Sequence, residues 1–449
     1  MNSSRRRFLK HTGIAAAAAT QLSWFSGSAN AAFTDDYRAL VCILLAGGAD
    51  SNNILVPIDD ARYASYAAGR ADLALPQSSL LPLRQTGNYE YGVHPGMVEV
   101  QQLFDAGNLS FVANIGPLVQ PTSRSQYDSA SVPLPLGLFS HSDQIAVWQT
   151  AAAGSRINTG FGGRLADLVT REVPAGPVSM NISMSGTNLF QTGNQVASYA
   201  IDVNDGVRTL AGYAEADNQV FTRALDALVN QTYADPFRRT YADQLRQAMT
   251  TSNNLDAILS AAPAVNVPFS TGELSRALEQ VAQLISVRTQ LGATRQTFFI
   301  TIGGWDHHDE VLNNQARMLP EISRGLGEFY AATQTLGLAE NIVTFTISDF
   351  GRTLTSNGRG SDHGWGGHNL IMGAGVAGGT VFGQYPDLSL GSELDLGRGR
   401  FLPTTSIDEF YAELALWFGV PAENLSSVLP NISAFYDPQS MPLPLGMFV

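Results

Sequence analysis

Continuous apolar runs bounded by turn residues recur along the chain and predict the strands of a parallel sheet. Residues 39–46 (ALVCILLA) and 109–115 (LSFVANI) are two such runs, and residues 369–372 form a shorter candidate. An unbroken apolar run is typical of a strand that helices cover on both faces. The first run leads into the polar, glycine-rich stretch 47–53 (GGADSNN), which we predict to lie at the carboxyl edge of the sheet.

The later part of the chain predicts a βαβ unit. Strand 297–302 is followed by a helix with one apolar face and then by strand 342–347. A connection of this kind between parallel strands is almost always right-handed. Nearer the C-terminus, Ser406 and Glu409 have the spacing of a capping box and predict an amphipathic helix over residues 410–418. The pattern therefore predicts an α/β fold with a mostly parallel central sheet flanked by helices.

The pattern changes between about residues 151 and 291. Residues 178–190 are short, polar and strand-like, whereas residues 220–259 and 272–291 are helical with long polar faces. None of the histidines that follow residue 31 lies in this segment. We interpret it as a largely helical insertion or cap on a single domain that spans residues 32–449.

The N-terminus has the features of an export signal. Residues 4–10 (SRRRFLK) resemble the twin-arginine pattern Ser-Arg-Arg-x-Phe-Leu-Lys, and a weakly apolar stretch and the cleavage-type sequence 29–31 (ANA) follow. Residues 1–31 are thus predicted to be a signal peptide that the twin-arginine translocation machinery reads, which implies a periplasmic or secreted protein. A basic amphipathic helix is the alternative. No later apolar run approaches the ~18 residues of a membrane span.

Composition excludes several classes of function. The chain has 26 basic and 39 acidic residues, and without residues 1–31 the 22 remaining basic groups give a net charge of −17 and include no lysine. Schiff-base and P-loop lysine chemistry are thereby excluded, and nucleic acid is not expected as a partner. The single Cys42 excludes an intramolecular disulfide and cysteine-based metal sites. The glycine-rich stretch 373–378 is followed by a strand-like segment, so no dinucleotide cofactor is expected.

Carboxylates and histidines are concentrated where the predicted strands end. Six residues of metal-ligand type lie in these loops: Asp50, Asp306, Asp349, His308, His363 and His368. Ligands bind outside the carboxyl ends of strands in open parallel sheets, so these side chains are expected to converge. Ordinary turn chemistry is the alternative for any one of them, but together they favour a metal site. Mixed carboxylate and imidazole ligands suit zinc, manganese or iron better than calcium alone.

Two further residues are candidates for catalysis. Ser140 precedes a helical stretch, and the positive end of a helix dipole stabilises an oxyanion or a phosphate. A nearby metal would help to ionise the Ser140 hydroxyl, whereas a plain N-cap is the alternative. Arg352 lies a few residues beyond a strand end and could bind an anionic substrate with two parallel hydrogen bonds. A surface ion pair is the alternative for Arg352.

In this order, the motifs LLAGGADSNN, LFSHSDQ, GGWDHHDE and SDFGRTLTSNGRGSDHGWGGHN resemble the bacterial exported family called domain of unknown function 1501. That family looks like a branch of the alkaline-phosphatase and sulfatase superfamily, which consists of α/β metal-dependent hydrolases of phosphate or sulfate esters. The resemblance covers nearly the whole chain after the signal. It implies an alkaline-phosphatase-like fold and a divalent metal ion: zinc, manganese or calcium.

The resemblance also implies roles for individual residues. Asp50 resembles the first-strand metal ligand, Ser140 the hydroxyl nucleophile, Asp306 and His308 the Asp/His pair, Asp349 the later strand-end Asp, and His363 or His368 the final His. The superfamily typically has Asp-His at the later strand end, whereas this chain has Asp349-Phe350. A one-metal site or an inactive descendant therefore fits the pattern as well as a full two-metal site.

The function that the resemblance implies is metal-dependent hydrolysis of an anionic ester, either a small molecule or a polysaccharide. Ser140 would attack in line, and Arg352 would neutralise the developing charge. The alternative is a non-catalytic periplasmic binding or assembly protein that retains the fold. Phe350, at the position of the superfamily histidine, is the sequence feature that favours this alternative.

Overall fold

The structure, a computed structural model, describes residues 36–84, 90–173, 176, 178–207 and 209–448. The predicted signal peptide lies outside the described residues. The described strands are β1 (Arg38–Leu45), β2 (Leu55–Pro57), β3 (Leu81–Pro82), β4 (Tyr91–Val93), β5 (Leu109–Gly116), β6 (Asn181–Ser183), β7 (Tyr199–Ala200), β8 (Arg295–Ile302), β9 (Ile342–Ser348), β10 (Gly367–Met372), β11 (Val381–Phe382) and β12 (Thr405–Ser406). The described α-helices are α1 (Asp60–Arg70), α2 (Val98–Asp105), α3 (Arg124–Asp128), α4 (His141–Thr150), α5 (Phe161–Glu172), α6 (Gln219–Val229), α7 (Pro236–Ser260), α8 (Glu273–Ser286), α9 (Val311–Thr335), α10 (Ile407–Phe418) and α11 (Leu425–Val428).

A central sheet carries most of the strands, in the order β11-β5-β10-β9-β1-β8-β6-β7, with β12 also paired to β5. Its strand pairs are parallel except those of β10, which runs antiparallel to β5 and β9. The predicted α/β class with a mostly parallel central sheet is confirmed. β1 lies between β8 and β9, so the helix of the predicted βαβ unit connects two strands that flank a third.

Helices cover both faces of the sheet, as the unbroken apolar runs predicted. Val41 and Ile43 face a core that they share with α2, α8 and α9. Leu40 and Leu44, on the other face of the same strand, pack in a second core with α4, α5 and α10. Alternate side chains of a strand point to opposite faces, so a strand between two cores must be apolar at every position.

The segment 151–291 contributes to both the sheet and its helical cover. Within it, β6 pairs in parallel with β8, and α5 and α8 bury their apolar faces in the two cores. The helix predicted over residues 220–259 is divided into α6 and α7. Pro236 begins α7, where a missing N–H costs no helical hydrogen bond, and the Asp235 side chain caps it by accepting from Arg238 N at 2.8 Å.

The predicted capping box is confirmed at the start of α10. Ser406 Oγ accepts a hydrogen bond from Glu409 N at 3.1 Å, and Ser406 N donates to Glu409 Oε2 at 2.8 Å. These bonds fix the helix start just after β12, next to the sheet.

No helix among the described residues is long and apolar enough to cross a membrane.

Candidate metal centre

The loops after β1, β8 and β9 meet at one edge of the sheet because these three parallel strands are neighbours. Gly47 and Gly48, which follow β1, adopt φ values of +122° and +78°. A Cβ atom on Gly47 would lie only 2.5 Å from the backbone nitrogen of Asp306. Glycine is therefore required here, since any side chain would separate the loops after β1 and β8.

Three side chains converge at this edge with the geometry of metal ligands. His141, Asp306 and His363 each offer a ligand atom, and these atoms all lie within 4.8 Å of one another. His308 adjoins them, because its Nε2 is 3.1 Å from Asp306 Oδ1 and 2.9 Å from His363 Nε2. We call these four residues the His–Asp cluster. The Asp306 side chain is 47% exposed, so the cluster is open to solvent.

Each histidine of the cluster is held through its Nδ1 atom by an oxygen acceptor. The pairs are His141 with Asp349 Oδ2 at 2.6 Å, His308 with Asp362 Oδ1 at 3.1 Å, and His363 with the Phe139 carbonyl at 2.7 Å. A carbonyl or an ionised carboxylate can only accept, so the ring proton of each neutral histidine lies on Nδ1. Each Nε2 then presents a lone pair to the cluster, as in metal sites whose histidines are oriented by carboxylates or carbonyls.

Charge within the cluster favours metal-binding protonation states. Burial acts to raise the pKa of Asp306, but the hydrogen bond and charge of Arg352 outweigh it and hold that pKa below its usual value. Burial lowers the pKa of His363, and the charge of Arg352 lowers it further against the opposing hydrogen bond to Phe139. A carboxylate and a neutral imidazole are the forms that coordinate cations.

The donor set fits a divalent transition metal. The Nε2 atoms of His308 and His363 lie 2.9 Å apart, and two lone pairs at that distance need a proton or a cation between them. Three imidazoles with one carboxylate suit zinc or manganese. Calcium prefers six to eight oxygen ligands, so it fits this set of donors poorly.

Phe350 forms an apolar wall behind two of the histidines. Its ring centroid lies 4.9 Å from that of His141 and 4.5 Å from that of His363, and its side chain is buried. The residue that directly follows Asp349 thus packs against the cluster. Packing from one side and a hydrogen bond from the other restrict the rotation of both imidazoles.

Asp50 and His368, two of the six predicted ligands, lie away from the cluster, and a third, Asp349, lies beside it. Asp50 is fully buried, and its Oδ2 accepts from Arg70 Nη2 at 2.8 Å and from Ser361 Oγ at 2.6 Å. His368 accepts from Asn114 N at 3.1 Å through Nδ1, and burial lowers the pKa of His368 to about 3. The charge of Asp50 is compensated by Arg70, which lies in α1.

The other predicted residues lie at or beside the cluster. Asp306, His308 and His363 belong to it, whereas Asp349 is a buried carboxylate that orients His141 and also accepts from Gly47 N at 3.0 Å. Ser140 is the N-cap residue of α4, directly before His141. Its hydroxyl makes no capping hydrogen bond to α4 and lies 3.3 Å from Ser142 Oγ in an exposed position.

Arg352 is buried and is engaged by the loops around it. Its guanidinium donates to the carbonyls of Gly47, of Gly48 at 2.7 Å and of Ser361 at 3.1 Å, and it forms an ion pair with Asp306. The arginine therefore joins the loops after β1, β8 and β9. From this buried position its positive charge stabilises the ionised form of the Asp306 carboxylate.

Two residues of the centre were missed by sequence reasoning. His141 lies within the motif LFSHSDQ, at the start of α4 and not in a loop after a strand. Asp362 lies within the motif SDFGRTLTSNGRGSDHGWGGHN. Both residues lie inside these motifs, directly beside the candidates Ser140 and His363, and this position could have identified them.

The geometry can be compared with known proteins. The sequence pattern of the family described as "Protein of unknown function (DUF1501)" matches residues 37–426. The chain belongs to this family. The match spans every residue of the His–Asp cluster together with Asp349 and Asp362. No curated protein matches the chain significantly.

Several solved structures are similar to this member of the family. A sulfatase from Pseudoalteromonas sp. is 10% identical, with 87% of this chain and 69% of that chain covered and a TM-score of 0.34. The lipoteichoic acid synthase LtaP from Listeria monocytogenes is 7% identical, with coverages of 88% and 75% and a TM-score of 0.33. A mutant of the alkaline phosphatase PafA is 11% identical, with coverages of 71% and 64% and a TM-score of 0.26.

Proposed function

We propose that the protein is an exported, metal-dependent hydrolase of phosphate or sulfate esters. The observation that carries this proposal is the orientation of three histidines. All three have Nδ1 bound to an oxygen, so their Nε2 atoms are left to face the Asp306 carboxylate. An arrangement of this kind, open to solvent at the carboxyl edge of a parallel sheet, is typical of a metal-dependent active site.

The His–Asp cluster would hold the metal, and the residues around it would orient the ligands. A divalent cation bound there would supply Lewis-acid polarisation of an ester oxygen. Asp349, Asp362 and the Phe139 carbonyl keep the three imidazoles in the ligand tautomer. Arg352 keeps Asp306 ionised, since its charge holds the pKa of that carboxyl low.

Ser140 is the proposed nucleophile. Its hydroxyl stands at the start of α4, where the N–H groups of the first helical turn receive no cap from it. These groups and the helix dipole would stabilise the negative charge of a transferring phosphoryl or sulfuryl group. His141 follows Ser140 directly and has its Nε2 in the cluster, so the proposed nucleophile and a proposed metal ligand are adjacent in the chain.

The proposal is tested with protein lacking residues 1–31. Metal-free protein is loaded separately with zinc, manganese and calcium, and cleavage of an aryl phosphate and an aryl sulfate is measured. We expect cleavage of at least one ester with zinc or manganese, and its loss in His141→Ala. His94→Asn is the matched control, because His94 accepts a hydrogen bond from Gly96 N and lies outside the cluster. Metal binding without cleavage of either ester would instead indicate the non-catalytic binding protein.

A further inference from the structure

The loop that precedes β12 places an arginine in a backbone conformation that favours glycine. Arg398 has φ +64°, and it stands between Gly397 at φ +103° and Gly399 at φ +66°. Residues with a Cβ atom rarely adopt such φ values because the side chain crowds the backbone. Strained non-glycine residues of this kind are concentrated at functional sites.

Hydrogen bonds to main-chain groups of this loop, most of them accepted by one carboxylate, hold it in place. Buried Asp395 accepts from Gly397 N at 2.8 Å and from Gly399 N at 2.7 Å through Oδ1, and from Gly391 N at 2.8 Å through Oδ2. The Arg398 carbonyl accepts from Thr355 N at 3.2 Å. None of these contacts uses the Arg398 side chain, so the backbone of the loop can be maintained without it.

The Arg398 side chain reaches a carboxylate of the metal centre. Its Nη1 lies 2.7 Å from Asp362 Oδ2, and Asp362 Oδ1 lies 3.1 Å from His308 Nδ1. Asn357 Nδ2 donates to the same Oδ1 at 3.0 Å. Both oxygens of the carboxylate are therefore engaged, and rotation of the carboxylate would break a charged contact.

His308 has the greatest need of such support among the three histidines. Its side chain is 46% exposed, compared with 33% for His141 and 24% for His363. The Phe350 ring packs against the other two. Because less packing restricts the His308 ring than the rings of His141 and His363, its orientation depends more on the hydrogen bond to Asp362.

We infer that Arg398 is a positioning residue for metal binding, which acts through Asp362 to hold His308 Nε2 towards Asp306 and His363. This inference rests on the proposed function, because it requires the His–Asp cluster to bind a cation. Substitution of residues that orient metal ligands typically weakens metal affinity about 10- to 100-fold. Arg398 acts one contact further out, so we expect an effect at the lower end, about tenfold.

The test compares zinc affinity with the stability of the metal-free protein. Zinc affinity is measured by competition with a chromophoric chelator for the protein without residues 1–31 and for Arg398→Gly, Arg398→Lys and Arg359→Ala. Arg359 is the matched control: it is an exposed arginine near the cluster, and its partner is Asp309 at 3.3 Å. Melting of each metal-free variant is recorded alongside.

Arg398→Gly separates positioning from a structural role because glycine suits the backbone conformation at this site. We expect zinc affinity about tenfold weaker with no loss of melting temperature in the metal-free protein. Arg398→Lys should fall in between, and Arg359→Ala should bind zinc as the unmodified protein does. Unchanged zinc affinity in Arg398→Gly, or a melting temperature lowered in the metal-free state, would overturn the inference alone. Absence of zinc binding by the unmodified protein would overturn the proposed function and this inference with it.

Discussion

The Asp349 carboxylate lies 2.6 Å from Nδ1 of His141, although the two residues are 208 positions apart in the chain. This contact joins the end of β9 to the start of α4. It brings a histidine from a helix to the edge of the sheet where Asp306, His308 and His363 lie. The strand-end carboxylate that the sequence indicated as a metal ligand thus orients His141, as carboxylates commonly do in the histidine sites of metalloproteins.

Removal of metal should lower the stability of the folded protein. A ligand that binds only the native state stabilises it by about 2.7 kcal/mol at a free concentration of 100 times Kd. We expect a chelator to lower the melting temperature of zinc-loaded protein and to have no such effect on Asp306→Asn. Elemental analysis and thermal melting of both proteins check this. A melting curve that the chelator leaves unchanged in the unmodified protein would contradict it.

Asp50→Asn should destabilise the protein without removing its metal. The Asp50–Arg70 pair is fully buried, and loss of one partner from a buried ion pair typically costs about 3–5 kcal/mol, since the other charge is left uncompensated. We expect urea denaturation to show a loss of this size while zinc stoichiometry stays unchanged. If Asp50→Asn loses its zinc but keeps its stability, Asp50 is a ligand as the sequence first indicated.

Ser140→Ala should separate the nucleophile from the N-cap. The Ser140 hydroxyl makes no capping bond to α4, so we expect a stability loss below about 1 kcal/mol, smaller than that for a typical cap. Turnover of the aryl ester should be abolished, with zinc content retained. Both quantities are measured on one preparation. Full turnover in Ser140→Ala would show that another group attacks the ester.

Asp408 should make the protein less stable as the pH rises. Burial raises the pKa of Asp408 to about 7 against the opposing charge of Arg164, whereas an unfolded chain has an ordinary value near 3.8. Between these values the native state holds the extra proton, so the free energy of unfolding falls with rising pH from about 4 to 7. The full loss is on the order of 4 kcal/mol.

Asp408→Asn isolates this contribution because asparagine has nearly the same shape and no charge. The variant should match the unmodified protein at pH 4 and exceed its stability at pH 8. Urea denaturation at pH 4, 6 and 8 gives the comparison. Parallel stability curves for the two proteins across this range would contradict the assignment.

Export should depend on the paired arginines of the N-terminus. Replacement of Arg5 and Arg6 together by lysine is expected to retain the precursor in the cytoplasm, because paired arginines are the part of a twin-arginine signal that its machinery reads. Mass spectrometry of the exported protein should find an N-terminus near Ala32. An intact Met1 on protein recovered outside the cytoplasm would contradict this prediction.

The strands that build the site could be predicted from the amino-acid sequence. The apolar runs of β1, β8 and β9 are long, are bounded by turn residues and admit only a location between two cores, and the structure places each within two residues of its predicted bounds. The capping box of Ser406 and Glu409 could also be predicted, because it depends only on residues three positions apart. Because the carboxyl ends of neighbouring parallel strands share an edge, the pattern also indicated that Asp306, His308 and His363 could meet.

The contacts of each polar residue at that edge depend on tertiary packing and could not be predicted from the sequence. Asp50 and Asp306 both follow a strand, yet one is paired with Arg70 from α1 and the other faces three imidazoles. The spacing of residues along the chain does not indicate which distant side chain will lie beside a given carboxylate. That partner is set by how the helices pack on the sheet: α1 supplies a buried cation to Asp50, and α4 brings His141 to Asp349 and the cluster.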